Sequence, residues 1–477
     1  MDNLQYSRLI DVHRISDYPE VQRMISYLLS LLKEAGLIKG SPRDKVLRHL
    51  KVVVLDLYVA YMRDPLVYVA YPRNSDAYGP GTRLRKLHLG LDSMKKVVDG
   101  LSSLGYLDDH SGFHDRTTGI GYLSRMRATS SLISLIQDYD IVTSMVSTGD
   151  ASVIVLREKD AEDDGKDKKE LPFEDTDEIV RMREYLSSYN TFLQSHELGL
   201  SISVEDIRRI LIERRCPAID YTRNRLYRIF NGDFSSGGRF YRGWWQNIPR
   251  DLRKYITIDG KPCSELDYSG QHLLLLYARG EDEYRWLKGL NDDPYYLEKY
   301  GEEVRDLLKV AILILVNEPD RNTAIQAIRQ KINYDFPELE SNNAFINPLI
   351  DEVMEKHPIV RQHFFSGSGG ALQYQDSQIA EYVLKNMQAY GFVALPVHDS
   401  FVAQGPHLAQ LYSLMKEAYR MLGLESIPRI TIKKGANTTF KESYFKPLWE
   451  EMDKDRAVMQ NDFEAFKALE DLFLEDR

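Results

Sequence analysis

The sequence predicts an α+β protein of more than one domain, and three observations predict it. At 477 residues the chain is longer than one ordinary hydrophobic core organises. Residues 1–155 carry helix-period apolar stripes followed by two short strand-like runs with turn residues between them. Further along, two apolar strand-like runs each end on an aspartate. Asp267 lies in Ser-Glu-Leu-Asp-Tyr-Ser-Gly-Gln-His (264–272), and Asp399 in Leu-Pro-Val-His-Asp-Ser-Phe-Val (395–402).

Composition narrows the class. With 43% hydrophobic and 28% charged residues, the chain reads as soluble and globular. The start, Met-Asp-Asn-Leu-Gln-Tyr, lacks the basic-then-apolar pattern of a signal peptide. No apolar run approaches the ~18 to 20 residues of a membrane span; the longest, 307–316, carries Lys309 and suits a buried helix. Two cysteines, Cys216 and Cys263, exclude a disulfide framework and a zinc site. The expectation is a cytoplasmic protein with no membrane partner.

The N-terminal module spans 1–155. Helical periodicity covers 18–35 and 41–63. In 90–107, Asp92 is a plausible N-cap, and Met94, Val97, Val98, Leu101 and Leu104 form one apolar stripe. Gly105 ends that helix, Tyr106-Leu107 opens a strand, 108–119 is turn-rich, and 120–126 is a second strand. Helix, strand, hairpin, strand is the layout of a winged helix-turn-helix, in which the helix enters a DNA major groove. Lys95, Lys96, Arg125 and Arg127 then face phosphates, with Arg83, Arg85 and Lys86 just before the helix. The same layout also serves protein contacts.

Residues 156–178 are acidic, without hydrophobic periodicity, and read as a linker. Residues 179–235 read as helices of a thumb-like region. The net charge of −10 argues mildly against a nucleic-acid partner, yet 208–254 holds eleven Arg and one Lys against four acidic residues. Tyr221, Tyr227, Phe230, Phe240, Tyr241, Trp244 and Trp245 are interleaved with them. Charge for phosphates and flat faces for bases are what a nucleic-acid groove needs; a solvated arginine-rich face is the bland alternative.

The two aspartates carry the chemistry. Carboxylates side by side at strand ends can hold two Mg²⁺ ions, which in-line nucleotidyl transfer requires. Gly238-Arg239-Phe240-Tyr241, then Gln246-Asn247-Ile248-Pro249, then 256–260 precede Asp267, and Arg305-Asp306-Leu307-Leu308-Lys309 and 372–380 precede Asp399. This succession resembles the palm and fingers of family A DNA polymerases, with features shared with the single-subunit phage-type RNA polymerases. The match covers roughly 230–440, about half the chain.

The resemblance implies a right-hand polymerase: palm 236–284 and 371–440, fingers 285–370, and an acidic helical tail 441–477 open to a protein partner. It implies that Asp267 and Asp399 are the catalytic metal ligands for two Mg²⁺, with Mn²⁺ as a possible substitute. It further implies that Arg305 and Lys309 grip a nucleoside triphosphate, and that Arg239, Gln373 and His398 meet the primer and template, His398 also shaping its turn. Two positions depart from the pattern. Asn317 stands where the family has a Tyr that platforms the templating base. His272 stands where the DNA polymerases have a Glu crowding the ribose 2′-OH. A histidine can crowd that hydroxyl or hydrogen-bond to it; Asp-Tyr-Ser favours deoxynucleotides, whereas His-Asp-Ser-Phe with Gln375-Asp376 leans toward the RNA polymerases.

The leading expectation is a DNA-directed DNA polymerase in DNA replication, without a proofreading exonuclease, for which no stretch of about 150 residues is left. The alternatives are an RNA polymerase or primase of the same fold, and a catalytically silent DNA-binding replication or regulatory protein. A hydrolase reading of His398-Asp399-Ser400 lacks a nucleophile-elbow Gly-x-Ser-x-Gly.

Overall fold

Apolar residues at helical and strand spacing bury themselves in two compact units. The computed structural model describes residues 4–38, 44–80, 82–114, 121–148, 152–158, 170–277, 293–424, 429–433 and 435, with 450, 452 and 454. The first unit comprises Met1–Ser152, Ile202–Arg223 and Ile248–Leu252, and the second Val153–Ser201, Asn224–Asn247 and Arg253–Arg477. Apart from 450, 452 and 454, the expected tail 441–477 lies outside the described residues, as do part of the expected linker and the tip of the expected hairpin.

In the first unit, strands β1 (Ser7–Leu9), β2 (Tyr68–Tyr71), β3 (Leu107–His110) and β4 (Ser124–Ala128) form one sheet in the order β1-β2-β4-β3. Helices α1 (Pro19–Glu34), α2 (Asp44–Arg63), α3 (Leu91–Ser103) and α4 (Ser130–Asp138) bury their apolar stripes in this unit. Met94, Val97, Val98 and Leu101 of α3 are buried, as its spacing predicts. The cap differs: Gly90 occupies the N-cap and Asp92 sits in the first turn. There its carboxylate favours the helix dipole instead of closing a capping bond. The second strand falls at Ser124–Ala128, four residues later than its expected start, because the turn residues 121–122 pair with 113–114 first.

Residues 202–223 belong to this unit through buried ions. Arg8 donates to Asp56 at 2.8 and 2.9 Å, and Arg14 Nε donates to the same carboxylate at 2.9 Å. Arg14 Nη2 reaches Asp220 at 3.3 Å and Thr222 at 2.7 Å, and Arg208 forks onto Asp64 at 2.8 to 3.0 Å. Burial pushes the Asp220 carboxyl up, but Arg8 and Arg14 outweigh it and hold it well below the carboxylate range.

The second unit is built on a six-stranded antiparallel sheet. Its path runs β6 (Leu198–Leu200), β9 (Ile256–Ile258), β10 (Lys261–Tyr268), β12 (Ser400–Gln404), β11 (Leu395–Val397), with β13 (Ile430–Lys433) paired to β10. A separate three-stranded sheet holds β5 (Ile154–Arg157), β7 (Tyr227–Asn231) and β8 (Asp233–Tyr241). Around them stand α5 (Asp177–Gln194), α6 (Gln271–Tyr277), α7 (Arg305–Asn317), α8 (Arg321–Asp335), α9 (Asn343–Lys356), α10 (Gly369–Ala389) and α11 (Leu408–Met421).

Three sequence expectations change here. The helical stretch foreseen over 179–235 divides: 177–194 is helical in the second unit, the helix Val204–Glu213 belongs to the first, and 227–235 is strand. The aromatics expected to line a groove are partly core, since Phe230, Phe240, Trp244 and Trp245 are buried. The arginines among them largely meet internal acids: Arg208 with Asp64, Arg214 with Asp251, Arg223 with Asp220, Arg228 with Glu381, Arg239 with Asp376 and Arg253 with Glu265. Local composition cannot distinguish an arginine that serves a ligand from one that meets a distant carboxylate. Among the described residues no helix is long and apolar enough to cross a membrane.

Candidate active site

Strands β10 and β12 pair antiparallel with Asp267 directly opposite Ser400, which brings the two aspartate motifs together near the ends of two neighbouring inner strands. His398 and Asp399 form the two-residue turn between β11 and β12. His398 has φ 56°, a left-handed conformation that a non-glycine residue holds only when its surroundings impose it. Those surroundings are visible. Trp245 Nε1 and Gln246 Nε2 each donate to Pro396 O at 3.0 Å. Ser400 Oγ donates to Val397 O at 2.9 Å, and Tyr268 N donates to Asp399 O at 3.3 Å.

Close carboxylates repel, and the site shows it. Burial first, then Asp267, then Asp376 push the Asp399 carboxyl up to about 7. Asp267 has a cation beside it: Lys433 Nζ lies 2.7 Å from its Oδ2 and 2.9 Å from Glu265 Oε1. Burial pushes Glu265 up, but Lys433, Ser400 and Arg253 outweigh it and lower its pKa.

Arg239 arrives through a close approach of β8 to α10. Gly237 and Gly238 have φ 83° and 79°, and a Cβ on Gly238 would stand 2.7 Å from Phe230 Cε1 and 2.9 Å from Ser377 Oγ. Buried Arg228 ties the same junction, donating to Gly238 O at 2.7 Å and to Ser377 Oγ at 2.9 Å. Arg239 Nε then donates to Asp376 Oδ2 at 2.5 Å, and its Nη2 lies 2.7 Å from His272 Nε2. Burial pushes His272 down to about 4, so the ring is neutral. A cavity of about 10 Å³, lined in part by Arg239, Asp376 and His398, has room for roughly one water.

The structure therefore gathers Asp267, Asp399, Arg239, His272 and His398. Arg305 and Lys309 stand on α7, paired with Asp293 and, at 2.7 Å, Asp306 respectively. The buried hydroxyl of Tyr295 links that end to the site, since its pKa is raised by burial, by Asp399 and by Asp293, and opposed by Arg305. Gln373 lies on α10, three residues before Asp376. Asn317 closes α7 and seats against Gly369, where any Cβ would collide with its Oδ1 at 1.4 Å. Lys95 and Lys96 lie on α3 of the first unit, Lys96 exposed and Lys95 half-buried. Arg127 stacks over Tyr68 with 4.6 Å to the ring centre, and Arg125 donates to Leu123 O at 2.7 Å.

The sequence gives no role to Glu265, Lys433 or Tyr295, and marks Asp376 only through its resemblance to the RNA polymerases. Glu265 was findable, because strand alternation puts it on the face of Asp267. Lys433 and Asp376 reach the site through pairings across more than a hundred residues, which leave no local signal.

The carboxylate pair fits Mg²⁺. Among the described residues no group of three or more His, Cys, Asp and Glu is placed to hold a metal ion. Mg²⁺ is held by one or two carboxylates plus water and substrate phosphates, so a pair suffices. Asp399, raised to about 7 by burial and then by Asp267, is a carboxyl whose charged form a bound divalent cation would favour.

No protein-family model matches the chain, and no curated protein matches it. Among solved structures, it is similar to the polymerase domain of Pol1 from M. smegmatis, in complex with DNA primer-template and dNTP. Identity is 12%, coverage is 88% of this chain and 66% of that one, and the TM-score is 0.29. The chain thus spans about two thirds of that structure's length.

Proposed function

We propose that the chain is a template-directed nucleotidyl transferase, acting as a DNA-directed DNA polymerase. One observation carries the reading: antiparallel pairing of β10 with β12 brings Asp267 beside the buried Asp399, whose carboxyl is raised to about 7 by burial first and then by Asp267 and Asp376. Asp267 and Asp399 would hold two Mg²⁺, or Mn²⁺ in their place; bound there, the ions would activate a primer 3′-hydroxyl and neutralise the triphosphate.

The chain's own residues orient the reactants. Arg305 and Lys309, paired with Asp293 and Asp306, exchange those carboxylates for β- and γ-phosphate oxygens, a charge-assisted contact in both states. Arg239, Gln373 and His398 meet the primer terminus. His272 stands at the sugar as a neutral ring fixed by Arg239, crowding a 2′-OH and favouring deoxynucleotides. The first unit is a winged-helix DNA-binding module. Its support is the strand order β2-β4-β3 beside α3, with Lys95 and Lys96 on that helix.

A second reading, an RNA polymerase or primase, rests on the resemblance of Gln375-Asp376 and His398-Asp399-Ser400-Phe401 to the single-subunit RNA polymerases. Primer extension with Mg²⁺ decides between them. The proposal expects dNTP addition to a primed template, lost in Asp399→Ala while DNA binding persists. Synthesis from rNTPs on unprimed template would establish the second reading. A wild-type protein that extends nothing with Mg²⁺ or Mn²⁺ leaves a DNA-binding protein on a polymerase scaffold.

A further inference from the structure

We propose that Lys433 is a resident counter-ion of the aspartate pair, which competes with a divalent cation for Asp267 and withdraws onto Glu265 when the cation binds. This rests on Asp267 and Asp399 being a cation site. Strand β13 runs antiparallel to β10 with Lys433 opposite Glu265 and Thr431 opposite Asp267. Directly paired and alternate strand residues share a face, so Glu265, Asp267 and Lys433 project together. Nζ of Lys433 bridges the two acids, 2.7 Å from Asp267 Oδ2 and 2.9 Å from Glu265 Oε1.

The two acceptors differ in what else holds them. Glu265 is buried, accepts from Ser400 Oγ at 2.8 Å, and has Arg253 Nη1 at 3.7 Å. It is a fixed acceptor whatever happens at Asp267. Lys433 is the mobile partner, 31% exposed and on a flexible four-carbon stem. An ammonium and a divalent cation cannot occupy one carboxylate oxygen together, because like charges a few ångströms apart repel strongly in a half-buried site. Glu265 lets the ammonium leave Asp267 and remain paired. Without a cation, Lys433 keeps Asp267 oriented and offsets its repulsion of Asp399; with one, it sets a threshold that the cation must overcome.

The test titrates the full chain with Mn²⁺, without nucleotide or nucleic acid, and reads free Mn²⁺ by electron paramagnetic resonance. Lys433→Met is expected to tighten Mn²⁺ at least tenfold, about 1.4 kcal/mol. Lys433→Arg keeps the charge and is expected to stay within roughly threefold of wild type, which a merely structural role of the lysine stem would not predict. Glu265→Gln removes the refuge and is expected to weaken Mn²⁺. Unchanged or weaker binding in Lys433→Met overturns the proposal; should that variant not fold, unchanged binding in Glu265→Gln overturns it. Primer extension is scored separately. Tightened Mn²⁺ in Lys433→Met without extension by wild type refutes the polymerase reading and leaves the role of Lys433 standing. Extension with unaltered Mn²⁺ affinity does the reverse.

Discussion

Nη2 of Arg239 lies 2.7 Å from Nε2 of His272, and because an arginine only donates, that ring nitrogen is an acceptor and the proton is on Nδ1. The same guanidinium holds Asp376 through Nε. One arginine thereby fixes the tautomer of the residue proposed to stand at the nucleotide sugar, and it adds to burial in keeping that ring neutral.

Arg239→Ala should release that restraint. It removes a like charge from His272 and leaves Asp376 unpaired beside it, and both changes favour the imidazolium. The His272 pKa should climb from about 4 toward its ordinary value, read from imidazole shifts in a pH titration by NMR. A value that stays near 4 would show that burial alone sets it.

His272→Ala should relax sugar discrimination in primer extension, lowering the dNTP-over-rNTP preference by roughly tenfold, as loss of a crowding contact of about 1 to 2 kcal/mol implies. If the preference is unchanged, the 2′-position is read elsewhere.

Asp399 makes the metal-free protein less stable as pH rises. Its carboxyl keeps a proton to about 7 in the folded state, against 3.8 as the ordinary value, so between these pH values the folded state binds more protons. The stabilisation is complete below that ordinary value and is lost as pH rises through about 7, at up to about 1.4 kcal/mol per pH unit. Urea unfolding in EDTA from pH 5 to pH 8 should show the slope, and Asp399→Asn should flatten it. Equal slopes in both proteins would remove Asp399 as its source.

Gly238→Ala should destabilise by roughly 2 to 4 kcal/mol, since it combines a positive φ with overlap into Phe230 and Ser377. Gly260→Ala is the control: φ is 68° but nothing lies within 4 Å of the new Cβ, so only the backbone cost of about 1 kcal/mol applies. Denaturant midpoints compare the two, and similar losses would deny the β8–α10 contact its role.

Asp56→Ala should cost about 3 to 5 kcal/mol in the first unit, because it leaves the buried guanidinium groups of Arg8 and Arg14 without their shared acceptor. A loss below about 1 kcal/mol in thermal unfolding would mean that Asp220 compensates.

What repeats locally was legible in the residue order. Helix period placed 19–34, 44–63 and 91–103 to within a few residues, since a buried stripe writes itself every three or four positions. The apolar runs leading to Asp267 and Asp399 likewise placed each carboxylate at or just past a strand end, and only the pairing of the two strands brings them together. Which cations meet which acids was settled by the folded chain. The arginine-rich stretch 208–254 reads as one basic surface, yet Arg208, Arg228 and Arg239 each find a carboxylate more than a hundred residues away, and Trp244 and Trp245 turn into the core. Lys433 reaches Asp267 through strand pairing across 166 positions of chain. Such partners are chosen by the low dielectric of the interior, where an unpaired charge is costly and any near counter-charge is taken. That choice depends on what the fold brings near, which neighbouring letters do not record.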